Sequence, residues 1–292
     1  MQRPWVHATK LILASACPPP KGEHVTKTTP ISLTIAGSDS GGGAGIQADI
    51  KAMSANGVYA ASVITAVTAQ NTRSVSAVHE IPAPIVAAQI NAVLSDLSVQ
   101  SIKLGMLFSP QIIQAVASAL SAFRGAIVVD PVMIAKFGDA LLQEDAVAAL
   151  IADILPRADL LTPNLPEAAR LLNQPEADSA DQMVTQARAL LKMGPKAVLM
   201  KGGHSAGNIC SDALVTAERV TWLSAPRIDT RNTHGTGCTY AAAIAAGLAH
   251  GKPLGAAVQA AHDYLHRAII AADQLDIGTG HGPVHHFHAV WS

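Results

Sequence analysis

The chain has 292 residues, 49% hydrophobic and 14% charged, with only 3% aromatics. That composition excludes a disordered chain and predicts a large aliphatic core. The formal net charge of −1 gives no electrostatic case for nucleic acid or an anionic membrane. The cysteines, Cys17, Cys210 and Cys238, are too few and too scattered for a disulfide framework or a metal motif, and they fit a reducing cytoplasm. No stretch approaches 18 consecutive apolar residues, so no membrane span is expected.

Residues 1–30 differ in character from the rest of the chain. The run Cys17-Pro18-Pro19-Pro20 can be neither helix nor central strand. Leu11–Cys17 faintly resembles a secretory signal, but its apolar core is short. A disordered extension, or a start codon placed too early, is the expectation for this segment.

From Ile31 the pattern is α/β. Ile31–Ala36 reads as a buried strand, Gly37–Gly45 as a glycine-rich loop, and Ile46–Asn56 as a helix stopped by Gly57. Ser62–Thr68 is β-branched and reads as the second strand, followed by a helix over Ala83–Leu97. Short strands recur at Ser101–Leu104, Ala126–Asp130, Asp159–Thr162 and Ala197–Met200. Helices separate them at Gln111–Phe123, Glu144–Ile154 and Ala180–Met193. Such alternation predicts a parallel sheet covered on both faces. Ser211–Val215 and Arg219–Leu223 read as an antiparallel edge, and Leu254–Ala272 as the last helix.

Between them lies Asn232-Thr233-His234-Gly235-Thr236-Gly237-Cys238, opening into the Ala-rich run to Gly247. Alanine is the best helix former. The first N–H groups of that helix lack partners within it and carry partial positive charge, so the Gly-Thr-Gly turn is a candidate phosphate site. Cys238 stands at its mouth. A helix N-terminus favours thiolate, so its pKa is expected to fall towards neutrality. The alternative is a tight turn with a small buried cysteine.

Ligands of such sheets bind at the carboxyl ends of the strands. Those ends carry Gly37-Ser38-Asp39, Gln70-Asn71, Asp130, Asn164 with Glu167, and Lys201-Gly202-Gly203-His204. A primary amide such as Gln70 both donates and accepts, which suits a heterocycle edge. Asp49 is either part of the same site or a first-turn carboxylate answering the helix dipole. Asn164 and Glu167 could orient a hydrated Mg²⁺, or form an N-cap and capping box. Lys201 could meet a phosphate or be solvated. No acidic residue ends the second strand, which argues against a nicotinamide site.

The ordered set of segments, from Ala36-Gly37-Ser38-Asp39 through Lys103-Leu104-Gly105-Met106-Leu107 to Asn232–Thr239 and Gly282–His288, resembles the ribokinase-like superfamily. Within it the match is to the hydroxymethylpyrimidine/phosphomethylpyrimidine kinases of thiamine biosynthesis. The resemblance implies one three-layer α/β/α domain over residues 31–292, with a central, mostly parallel sheet and antiparallel edge strands. It implies ATP as co-substrate, Mg²⁺, and successive phosphorylation of 4-amino-5-hydroxymethyl-2-methylpyrimidine to its mono- and diphosphate. By similarity Gln70, Asp49, Gly37 and Met106 meet the pyrimidine. Asn164, Glu167, Lys201 and Thr233 serve ATP and phosphate, and Glu167 and Asp130 serve Mg²⁺, partly through water. Gly235, Thr236, Gly237, Cys238 and Lys201 form the catalytic group. Where sugar kinases of the superfamily carry an Asp base after Gly-Thr-Gly, this chain has Cys238. A cytoplasmic homodimer is expected. Two other readings stay open: a pyridoxal-type kinase, and a non-catalytic nucleotide-binding protein. His285, His286 and His288 lack acidic partners, so a structural role is expected for them over metal binding.

Overall fold

The computed structural model describes residues 28–133, 144–203 and 207–291. The expected extension at 1–30, but for its last three residues, and His204 lie outside them.

Among the described residues nine strands form one sheet, in the order β3-β2-β1-β4-β5-β6-β7-β8-β9. They are β1 (Ile31–Asp39), β2 (Tyr59–Gln70), β3 (Val75–Glu80), β4 (Ser101–Leu104), β5 (Ala126–Val129), β6 (Leu160–Leu161), β7 (Ala197–Met200), β8 (Ile209–Thr216) and β9 (Val220–Pro226). Pairing is parallel from β2 through β7. It is antiparallel for β2–β3, β7–β8 and β8–β9. The expected antiparallel edge is β8–β9. β3, on the other edge, is a strand that the sequence reading lacked: its alternation of Val with Ser and His is short and half-exposed.

Side chains alternate between the two faces. Leu33, Ile35, Ile102, Val129, Leu161 and Val198 join a core with α2 (Ala83–Asp96), α3 (Pro110–Ala119), α5 (Leu165–Leu172) and α6 (Ala180–Leu191). Val128, Leu160 and Leu199 face α1 (Gly45–Ala55), α7 (Thr236–Ala249) and α8 (Leu254–Ile270). This is the three-layer architecture that the resemblance implies. The expected helix over Glu144–Ile154 is instead α4 (Glu144–Ala149), a π turn over Leu150–Ile154 and a 3₁₀ turn over Leu155–Arg157. Pro156 has no N–H to continue an α-helical ladder.

The α7 face explains the alanines. From Thr239 to Ala249 every residue but Leu248 is buried, and a Cβ on Gly247 would stand 2.9 Å from the Ala257 Cβ of α8. Small side chains bring α7 close to the sheet, where Ser101 Oγ donates to the Ala245 carbonyl at 2.7 Å. Ser101 pairs in register with Ser32, and Lys103 with Thr34. A row of buried polar groups thus runs under α7 towards the carboxyl ends of the strands.

Candidate active site

The carboxyl end of β1 is organised by Asp39. Its Oδ1 accepts from the Gly41 N–H at 2.8 Å; its Oδ2 accepts from the N–H groups of Gly43 at 3.1 Å and Ala44 at 2.8 Å. His234 Nε2 lies 2.9 Å from the same Oδ2. These hydrogen bonds and the His234 ring hold the Asp39 carboxyl below its ordinary pKa although burial pushes it up. One carboxylate therefore shapes the glycine-rich loop and ties it to the Thr233–Cys238 turn, almost two hundred residues along the chain.

The two turns meet backbone to backbone. Gly235, at φ +77°, is the N-cap of α7, and a Cβ there would stand 1.8 Å from the Gly43 carbonyl oxygen. Only glycine fits both the conformation and the gap. Among the described residues no side chain caps α7, and no acidic residue stands in its first turn. The Thr236 N–H meets the Thr233 carbonyl at 3.4 Å, and the next N–H groups and the dipole are open to an anion.

Across this helix start sit two charged groups from the ends of β5 and β7, the strands on either side of β6. A Cβ on Gly237 would lie 3.3 Å from Lys201 Nζ and 3.6 Å from Asp130 Oδ2. Lys201 Nζ donates to Asp130 Oδ1 at 2.8 Å and lies 3.9 Å from Glu167 Oε2. Thr162 Oγ1 donates to the same Asp130 oxygen at 3.1 Å. Burial opposes the charge of Asp130, but Lys201 and Lys103 hold its pKa below the ordinary value. Burial pushes Glu167 up to about 7 against the pull of Lys201, and the Asp130 charge adds to the rise. Asn164 and Glu167 form the capping box of α5: Asn164 N–H donates to Glu167 Oε2 and Glu167 N–H to Asn164 Oδ1, both at 2.8 Å. The cap does not remove Glu167 from the site, since its carboxylate also faces Lys201.

At the other end of the group, Gln70 closes β2. One terminal atom of its amide is 3.1 Å from Thr68 Oγ1, and the other 3.3 Å from His234 Nε2. Gly37 and Met106 touch so closely that a Cβ on Gly37 would stand 2.3 Å from Met106 Cε. Met106 and Ala66, with the partly buried Val78 and Val132, make a small apolar cluster separate from the two main cores. An amide beside an apolar wall suits a flat polar ring.

Two expectations are corrected here. The helix start does not depress the pKa of Cys238. Instead burial pushes the thiol up to about 11, with the Asp49 and Asp130 charges adding to the rise. Lys103 and the Gly45 N–H pull the other way and do not overcome it. Asp49 is not a first-turn carboxylate. It sits in the second turn of α1, fully buried. Its Oδ2 accepts from Thr34 Oγ1 at 2.6 Å and from Lys103 Nζ at 2.9 Å, while its Oδ1 has no hydrogen-bond partner among the described residues.

Asp39, His234 and Lys103 are site residues that the sequence reading did not assign. For Lys103 the signal was present: a cation between Ile102 and Leu104 in a buried strand needs a partner. The Thr233 carbonyl is 3.4 Å from the Thr236 N, in the turn that leads into α7. Of the C-terminal histidines, His286 packs against α7. His286 Nε2 is 2.9 Å from Thr239 Oγ1, and Tyr264 Oη donates to the His286 carbonyl at 2.8 Å.

A separate cleft of about 400 Å³ opens at the amino ends of β5–β7. There Arg124 and Arg157 donate to backbone carbonyls and Lys196 pairs with Asp159. The strand-end chemistry does not reach it.

The family profile described as phosphomethylpyrimidine kinase matches residues 39–285. The hydroxymethylpyrimidine/phosphomethylpyrimidine kinase of Rhizobium meliloti is 57% identical over 263 residues, covering 90% of this chain and 99% of that protein. The thiamine biosynthesis bifunctional protein ThiED of Geobacter sulfurreducens is 48% identical; the match covers 88% of this chain and 52% of that protein. Among solved structures, the ADP complex of Bacillus subtilis pyridoxal kinase superposes with a TM-score of 0.84 at 32% identity, covering 91% of this chain and all of that one. Among the described residues no helix is long and apolar enough to cross a membrane.

Proposed function

This chain belongs to the phosphomethylpyrimidine kinase family, and on that premise we propose how its residues divide the work of two phosphoryl transfers. The first goes from ATP to the hydroxymethyl oxygen of 4-amino-5-hydroxymethyl-2-methylpyrimidine, the second to the resulting monophosphate, in the making of thiamine diphosphate. One observation carries the assignment: the uncapped start of α7 meets Lys201 and Asp130 at Gly237, within a continuous line of contacts to Gln70.

Phosphoryl transfer depends chiefly on positioning and charge stabilisation. The pyrimidine lies against Gly37 and Met106, with Gln70 on its polar edge. The N–H groups of Gly237 and Cys238 face the oxygens on which negative charge grows, in the manner of an oxyanion hole. Lys201 neutralises a phosphate oxygen, and Asp130 holds its ammonium in place. Asn164, Glu167 and Thr233 flank the nucleotide phosphates. Cys238, a thiol at neutral pH, orients the hydroxymethyl group by hydrogen bonding. In a loose transition state the hydroxyl need not lose its proton early, so a strong base is not required. The buried Asp49 acts from beneath, holding Lys103.

Asp130 and Glu167 fit Mg²⁺, which takes one or two carboxylates together with phosphate and water oxygens. Glu167 suits this role because its charge is held back only by burial and by Asp130, a balance that a second cation reverses. When bound, the ion neutralises charge on the phosphate oxygens. A cytoplasmic homodimer belongs to the same proposal, supported by the family resemblance alone.

The similarity to pyridoxal kinase favours a second reading, in which the same site phosphorylates a pyridine with a hydroxymethyl arm. Competition kinetics with the purified enzyme separates the two. The pyrimidine is expected to have the higher kcat/KM; a higher value for pyridoxal would replace the first reading with the second.

A further inference from the structure

We propose that His234 is a positioning residue that fixes the orientation of the Gln70 amide, and that this orientation sets which donor–acceptor pattern the site accepts. The inference rests on the pyrimidine reading and deepens it.

Hydrogen-bond partners decide the orientation. The terminal O and N of an amide have nearly the same shape, so only their neighbours tell which is which. One terminal atom of the Gln70 amide lies 3.1 Å from Thr68 Oγ1 and the other 3.3 Å from His234 Nε2, and these two partners decide which is nitrogen and which is oxygen. Thr68 Oγ1 is 2.9 Å from the Ser38 carbonyl oxygen, which can only accept, so the hydroxyl hydrogen points there. The hydroxyl oxygen can then only accept from Gln70, and the amide atom facing it is nitrogen. His234 Nε2 is 2.9 Å from Asp39 Oδ2, which as a carboxylate can only accept, so Nε2 carries a hydrogen. The amide atom facing that N–H is oxygen. Two independent partners give one answer.

The His234 ring cannot turn away easily. A Cβ on Gly43 would stand 2.4 Å from His234 Cδ2, and the His234 backbone N–H donates to the Gly282 carbonyl at 3.0 Å. Asp39 is fixed in turn by the three loop N–H groups. The frame Asp39–His234–Gln70–Thr68 therefore has one arrangement. Among the described residues the second hydrogen of Nε2 and the second lone pair of Oε1 are left to a ligand. An aminopyrimidine offers a ring-nitrogen acceptor beside an amino donor and matches this pair in one sense only. The corresponding 4-oxo compound, with a ring N–H beside a carbonyl, offers the reverse.

The test compares calorimetric Kd values for the 4-amino pyrimidine and its 4-oxo analogue in wild type, His234→Leu and His234→Gln. Bidentate readout of this kind is worth ~10–100-fold between matched and reversed patterns. Wild type is expected to favour the amino compound by that factor. His234→Leu frees the amide to turn, so the ratio is expected to collapse to less than about fivefold. His234→Gln, which keeps a donor, is expected to restore most of it. An unchanged ratio in His234→Leu overturns the proposal. A second measurement needs neither ligand nor variant: in wild type, the Gln70 side-chain amide protons are expected to show nuclear Overhauser contacts to the Thr68 methyl group. Contacts to the His234 ring protons instead overturn it. A wild type that binds neither compound overturns the pyrimidine reading, and the Overhauser contacts still decide the orientation.

Discussion

Gly235 packs against Gly43 with no room for a side chain: a Cβ would stand 1.8 Å from the Gly43 carbonyl oxygen, at a φ of +77°. The contact aligns the glycine-rich loop before α1 with the start of α7, so that two distant turns build one site. Gly235→Ala must therefore move one turn away from the other. Losing one donor to a developing oxyanion lowers kcat by ~10²–10³. We expect kcat for both phosphorylations to fall by at least that factor, measured with saturating substrates. Activity within tenfold of wild type would mean that the alignment is not needed.

The thiol of Cys238 offers a test by pH. Its pKa is raised from 9.0 to about 11, so thiolate appears only as pH rises towards that value. At pH 8 about one thiol in a thousand is ionised. We expect the iodoacetamide reaction of Cys238, followed by mass spectrometry of the modified peptide, to be slow at pH 8 and to climb steadily to pH 10. Cys238→Ser keeps a hydrogen-bonding group and is expected to leave the shape of the pH profile of kcat/KM for the first transfer unchanged between pH 6 and 9. A limb near pH 7–8 that disappears in the Ser variant would restore Cys238 as a thiolate base.

Lys103 and Asp49 make a test of stability. Both are fully buried, and their contact is 2.9 Å. Removing one partner strands the other charge without water, which costs about 3–5 kcal/mol. Lys103→Met is therefore expected to lower stability by that order in urea denaturation. Adding Asp49→Asn to it, which removes the stranded charge, is expected to recover much of the loss. Strictly additive losses would show that the two side chains are not coupled.

The layers were legible in the sequence because the alternation of apolar strands with Ala- and Leu-rich helices is a local pattern. So are the strand ends, which bring up Gln70, Asp130, Glu167 and Lys201 as candidates, though their roles came only with the family resemblance. What depends on distant partners is not legible. His234 stands inside a motif that draws attention to its glycines, and its role follows only from Asp39, brought to it by folding. The helix dipole at Cys238 can be read locally. The burial and the neighbouring Asp49 and Asp130 that outweigh it cannot. β3 escaped because an edge strand needs apolar residues on one face only, and six residues are too few to make that pattern plain.

If one anion site serves two successive transfers, the products must show it. Mass spectrometry of what forms from hydroxymethylpyrimidine and Mg·ATP over time is the decisive measurement. The monophosphate is expected to appear first and then to decline as the diphosphate accumulates, with two ADP formed for each diphosphate. A reaction that stops at the monophosphate, or leaves the pyrimidine unchanged, would contradict the two-transfer reading.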